Sequence, residues 1–139
     1  MNKYHRERLA RLMPNGKPRW IRVYDNGEKS YDRYTVVFTG NYDKDIPGYG
    51  KSYQYVGMSS SPSHPQGFCQ HGECPHIIDW PTYGHLGKKI RFEDLPEDCQ
   101  KVVISDYRHL WKLCDVCGVS GAKFYESPYK WLCKEHKPQ

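Results

Sequence analysis

Four side chains near the end of the chain have the types and spacing to grip a metal ion: Cys114-Asp-Val-Cys117-Gly118 and Cys133-Lys-Glu-His136. Two residues separate the members of each pair, and fifteen separate the pairs. Structural zinc takes four sulfur and nitrogen ligands tetrahedrally, and this CxxC…CxxH spacing suits it. A CxxC-Gly knuckle turns both sulfurs inward, with Gly118 relieving the backbone crowding. The frame predicts one Zn2+ on Cys114, Cys117, Cys133 and His136. Four protein ligands leave no open coordination position, so such a metal would stabilise and not catalyse. A redox CxxC would want its first cysteine at a helix N-terminus, where the dipole lowers the thiol pKa. Here the predicted helix ends at Cys114 instead.

A second cluster, Cys69-Gln-His71-Gly-Glu-Cys74-Pro-His76, has His64 just upstream. Cys69, His71, Cys74 and His76 could hold a second zinc and order their segment, or form a polar surface stretch. His64, His71 and Glu73 could do acid–base chemistry if a pocket joined them. No phosphate-binding glycine loop, serine nucleophile elbow or metalloprotease helix motif is present. Cys99, on an apolar helix face, reads as a core thiol.

The charge that would recruit a partner is unevenly placed. Residues 1–33 carry nine basic side chains against four acidic ones, which accounts for the whole net charge of +5. A basic arm on a neutral body suggests contact with a polyanion. Arg6, Arg8, Arg11, Lys17, Arg19 and Arg22 are the expected phosphate contacts, and Trp20, Tyr34, Tyr53 and Tyr55 the candidate stacking faces. A solubilising tail and a packed sheet would explain the same residues. Mean hydropathy is −0.89 and aromatics make up 14% of 139 residues, so a lean core would draw heavily on Tyr and Trp. No apolar run approaches the ~20 residues that span a bilayer. The first residues lack the apolar stretch of a secretory signal, and the second is Asn, which excludes N-myristoylation. Together these predict a cytoplasmic protein with no membrane partner.

The elements that must position these groups fall in order along the chain. Residues 3–13 predict a short basic helix, stopped by Pro14-Asn-Gly-Lys-Pro18. Residues 20–24 and 31–39 read as strands, joined at Asn26-Gly27 by a type I′ turn. Residues 52–57 give a third strand and an antiparallel meander. Residues 59–89 show no sustained period and read as a long His/Pro/Gly loop. Asp94, Pro96 and Glu97 mark a helix start, and Cys99, Val102, Val103, Tyr107, Leu110 and Trp111 share its apolar face to about Leu113. A hairpin from Ala122 to Leu132 would separate the two ligand pairs. The predicted class is α+β: a small antiparallel meander, one main helix and a C-terminal zinc module. The predicted divisions are an arm at 1–19, a core at 20–113 and the module at 114–139.

Knuckle, hairpin and terminal ligand pair resemble treble-clef and zinc-ribbon modules over residues 113–137, which implies a metal but no particular partner. An HNH-type nuclease would need a catalytic His inside the frame, and none lies there. Tyr53-Gln-Tyr-Val-Gly57-Met-Ser59 resembles the second strand motif of GIY-YIG nucleases, with Tyr34-Thr-Val-Val37 standing for the first. The first-motif Gly is absent, and no Arg follows Ser59. The resemblance implies cleavage depending on Tyr55, with His64 as the nearest basic group and Glu73 or Glu93 for metal. Tyr55-Val-Gly-Met58, His64-Pro-Gln-Gly67, residues 81–90 and Leu95-Pro-Glu-Asp-Cys99 resemble small uncharacterised proteins of bacteriophages and their hosts. That implies a factor acting in host cytoplasm.

The leading expectation is a non-enzymatic zinc protein that binds nucleic acid or a nucleoprotein complex. The alternatives are an interaction protein that blocks a host polymerase or defence nuclease, and a divergent nuclease.

Overall fold

In a computed structural model, residues 10–40, 45–46, 50–51, 53–74, 86–126 and 130–136 are described, with the backbone alone at 45–46, 50–51, 74, 126 and 130. The strands are β1 (Ile21–Asp25), β2 (Tyr34–Phe38), β3 (Asp45–Ile46), β4 (Gly50–Lys51), β5 (Tyr53–Met58), β6 (Cys69–Cys74), β7 (Lys88–Ile90), β8 (Phe124–Glu126) and β9 (Lys130–Leu132). The helix α1 covers Glu97–Leu110, and single 3-10 turns cover Phe92–Asp94 and Lys134–His136. The chain divides into two compact units: Trp20–Val103, and Met1–Arg19 together with Ile104–Gln139. The fold is the predicted α+β: a five-stranded antiparallel sheet, one main helix and a C-terminal Cys/His cluster.

The sheet of the first unit has the order β6-β5-β2-β1-β7, every neighbour antiparallel. Its middle strand, Tyr-Thr-Val-Val-Phe, is buried at all five positions, which is why it reads as a continuous apolar run and does not alternate. On one face Val23, Val36 and Val56 stand side by side in register. On the other, Val37, Tyr53 and Leu86 form a buried cluster, with Tyr24 and Tyr55 packed against it. The expected core thiol is there: Cys99 is buried, and its Sγ–H lies 3.2 Å from the Ser59 carbonyl.

Three expectations give way. The tight Asn26-Gly27 turn is instead a loop over residues 26–33, because Asp25 already pairs with Tyr34. Asn26 is buried and organises that loop. Its side chain donates to Ser30 and to the Asp32 carbonyl, and accepts from the Lys29 N–H. Arg33 closes the loop with a two-bond fork on Asp25, whose carboxyl it holds below the usual range. Second, β6 occupies the middle of the stretch read as loop, paired along its whole length with β5. Its polar residues gave no apolar alternation to find. Gly72 leaves room for Tyr55 opposite: a Cβ there would lie 2.6 Å from the Tyr55 hydroxyl, and the ring would have to shift. Third, residues 10–13 are not helical, and the rest of the predicted basic helix lies outside the described residues.

The helix boundaries also shift. Asp94 turns back to accept the Arg91 N–H at 3.0 Å and closes the 3-10 turn. Leu95, preceding a proline, is extended, so α1 begins only at Glu97. At the other end Leu113 N–H reaches the Arg108 carbonyl and Lys112 N–H the His109 carbonyl. That is a Schellman closure, with Lys112 at the left-handed position (φ 52°) where glycine is usual. A lysine there costs about 1 kcal/mol. Its ammonium sits 5.3 Å from the Trp131 ring centre, an exposed contact that offsets roughly 0.5 kcal/mol. Lys112→Gly is therefore expected to raise the urea midpoint slightly with zinc saturating. A fall would show that the Trp131 contact outweighs the backbone strain.

Candidate metal centre

The reversal at Lys112 delivers the chain into a knuckle closed by two backbone bonds, Gly118 N–H to Cys114 O and Cys114 N–H to Val119 O, both 2.8 Å. Gly118 takes φ 80°, which a side chain at this position would resist. A third bond, Asp115 N–H to Trp131 O at 2.8 Å, ties the knuckle to β9 two residues before Cys133. The β8–β9 hairpin and the 3-10 turn at Lys134–His136 then carry the second ligand pair back to the first.

The result is convergence. One ligand atom from each of Cys114, Cys117, Cys133 and His136 lies within 4.8 Å of all the others. With metal–sulfur bonds of about 2.3 Å and a metal–nitrogen bond of about 2.0 Å, tetrahedral ligand atoms stand roughly 3.5–3.8 Å apart. Cys117 Sγ to Cys133 Sγ is 3.7 Å, and Cys114 Sγ to His136 Nδ1 is 3.7 Å. Cys133 Sγ to His136 Nδ1 is shorter, 3.1 Å, a thiol–imidazole hydrogen-bond distance. The donor set and its size fit a metal ion. Nδ1 faces the sulfurs, leaving Nε2 of His136 for an outer partner.

The three thiols of the cluster differ in how readily they ionise. Burial alone would raise the Cys114 thiol, but the N–H groups of Cys117, Cys133 and Val116 point at its sulfur and bring it down to about 6. Cys133 is also raised by burial and lowered more, chiefly by His136, whose own pKa rises through the same contact. At Cys117 the Val119 N–H lowers the thiol, and burial with the two neighbouring sulfurs outweighs it. Negative charge thus gathers at Cys114 and Cys133 and is resisted at Cys117. A divalent ion among them would let all three ionise. The inward N–H groups of Val116 and Val119 were not singled out from the sequence, although the CxxC-Gly spacing implies such a turn.

The other candidates are placed differently. Cys69 and His71 are exposed on β6, while the Cys74 side chain and His76 lie outside what is described. Among the described residues the C-terminal four are the only converging group of three or more Cys, His, Asp or Glu side chains. His64 borders a cleft of about 690 Å³ with Tyr31, Arg33, Ser60 and Gln66. Its Nδ1 accepts the Gln66 N–H at 3.1 Å, so its ring proton sits on Nε2. The strands carrying the nuclease-like motifs are neighbours, Val37 opposite Tyr55, but neither Glu73 nor Glu93 borders the His64 cleft.

Of the basic set, Arg6 and Arg8 lie outside the described residues. Arg11, Lys17 and Arg19 belong to the unit that holds the metal cluster, and Arg22 to the sheet unit. Arg19 Nε donates to the Arg11 carbonyl, and Met13 N–H to the Lys17 carbonyl, so residues 11–19 are folded back on themselves. A Cβ at Gly118 would meet Arg11 Cγ at 3.8 Å, which places Arg11 beside the knuckle. Of the expected stacking faces, Tyr34 and Tyr53 are each 6% exposed and spent on the lean core, while Tyr55 and Trp20 are partly buried.

No helix among the described residues is long and apolar enough to cross a membrane. Comparison of the chain with protein-family models, curated proteins and solved structures finds no match.

Proposed function

We propose that this is a zinc-stapled protein that binds nucleic acid through the unit carrying the metal cluster, without enzymatic chemistry at the metal. The observation that supports it most is how the charge divides. Met1–Arg19 with Ile104–Gln139 holds twelve basic and five acidic side chains, a balance of +7. Trp20–Val103 holds nine basic and eleven acidic, a balance of −2. Among the described residues, Arg11, Lys17 and Arg19 fall in the same unit as Arg108, Lys112, Lys123 and Lys134. One Zn2+ with three thiolates removes only a single charge from that excess. Zinc is favoured over other ions by a set of three thiolates and one imidazole gathered within 4.8 Å of one another, and four ligands leave no position for a substrate.

Phosphate contacts of this kind release counterions, so affinity must fall with salt. With about four phosphates engaged, a threefold rise in salt should weaken binding roughly twentyfold on a single strand and about fiftyfold on a duplex. A gel-shift or anisotropy series with zinc-loaded protein measures this. No binding at low salt, or binding indifferent to salt, would sink the proposal. Arg11 and Lys123 are the exposed cations whose reversal to Glu should weaken binding most evenly across sequences.

A further inference from the structure

We infer that Tyr125, buttressed by Trp131, is a stacking platform for the bases of single-stranded nucleic acid, an assignment that rests on the polyanion-binding reading of the same unit. Tyr125 stands directly opposite Trp131 in the β8–β9 ladder, so both rings project from one face. Their centroids are 4.9 Å apart in an edge-on arrangement. Trp131 is itself fixed. Its indole N–H reaches His109 Nδ1 at 3.1 Å, and Lys112 covers its ring at 5.3 Å.

Tyr125 is nevertheless 47% exposed in a protein whose sheet tyrosines at 34 and 53 are buried. A ring already held by its neighbour loses little freedom on binding, which is what a stacking site needs. The setting discriminates between partners. Protein interfaces are depleted in lysine, whereas here Lys112 lies over the ring of the neighbouring Trp131 and exposed Lys123 precedes Tyr125 by two residues, within a unit of charge +7. Cations beside an aromatic face match a phosphate backbone with unpaired bases, and a duplex keeps its base faces hidden.

The test uses full-length zinc-loaded protein and fluorescein-labelled oligo-dT, oligo-rU and a duplex of equal length at low salt. Tyr125→Ala is expected to weaken single-strand binding about tenfold and leave duplex binding within about twofold. Tyr125→Phe should bind like the parent, and zinc content should be unchanged in both variants. Lys123→Glu should weaken binding to all three probes. Unchanged single-strand affinity in Tyr125→Ala, with Lys123→Glu still weakened, would overturn the platform and leave the polyanion reading standing. Equal losses on duplex and single strand would also overturn it. Parent protein that binds none of the probes would overturn both.

Discussion

Withdrawing the metal is expected to unfold the C-terminal module, with loss of the near-ultraviolet circular dichroism of Trp111 and Trp131. The reason is the size of its core. Between residues 111 and 136 the buried side chains described are Trp111, Leu113, Cys114, Ala122 and Leu132. A large apolar side chain contributes about 1.5–3 kcal/mol on burial, while each ordered residue costs roughly 1–2 kcal/mol of backbone entropy. Five side chains, only three of them large, fall well short of that ordering cost, and zinc at about 10–16 kcal/mol would supply a large part of the difference. Cys133→Ser should bind zinc far more weakly, because it removes the sulfur that faces both Cys117 and His136. Zinc release to a coloured chelator, followed alongside the dichroism, measures both effects. A module that keeps its tryptophan signal in excess chelator would show that the four residues hold no structural metal.

The second large effect belongs to Tyr107. It is fully buried, lies 6.4 Å from the Trp111 ring one turn on, and donates its hydroxyl to the Ala10 carbonyl at 2.6 Å. Burial pushes its pKa up to about 12, so the hydroxyl stays a donor throughout the neutral range. Tyr107→Phe leaves a buried carbonyl without its partner, at a cost of about 1–3 kcal/mol. Tyr107→Ala adds a cavity, for about 3–5 kcal/mol in all. Urea unfolding with zinc saturating should rank the two variants in that order. Because the bond anchors the segment after Ala10, trypsin should cut after Arg11 and Arg19 faster in Tyr107→Phe. Unchanged cutting would mean that residues 10–19 are held by other contacts.

Much of this architecture was written locally. The helical period of Cys99, Val103 and Tyr107 placed α1, and β-branched and aromatic runs placed β1, β2 and β5. The ligand spacing named the four side chains that converge. Local rules misled where a distant partner intervened. Asn26-Gly27 has the composition of a tight turn, yet Arg33 reaching back to Asp25 fixes a wider loop. Cys69–Cys74 lacks any strand pattern, and the open edge of β5 makes it a strand. Tyr34 and Tyr53 look like Tyr125 in composition, and only their positions in the sheet bury them.

By itself the sequence determined which four Cys and His side chains converge, the helix and the first three strands of the sheet, because each is a matter of pattern among near neighbours. The tertiary structure decided which tyrosines face solvent and which edge takes β7. It also put Arg11, Lys17 and Arg19 in one unit with Arg108, Lys112, Lys123 and Lys134. Those outcomes depend on contacts such as Tyr107 with Ala10, 97 residues apart, which no local pattern encodes. On the proposed reading, the CxxC…CxxH frame is a staple for the unit that carries Tyr125 and Trp131.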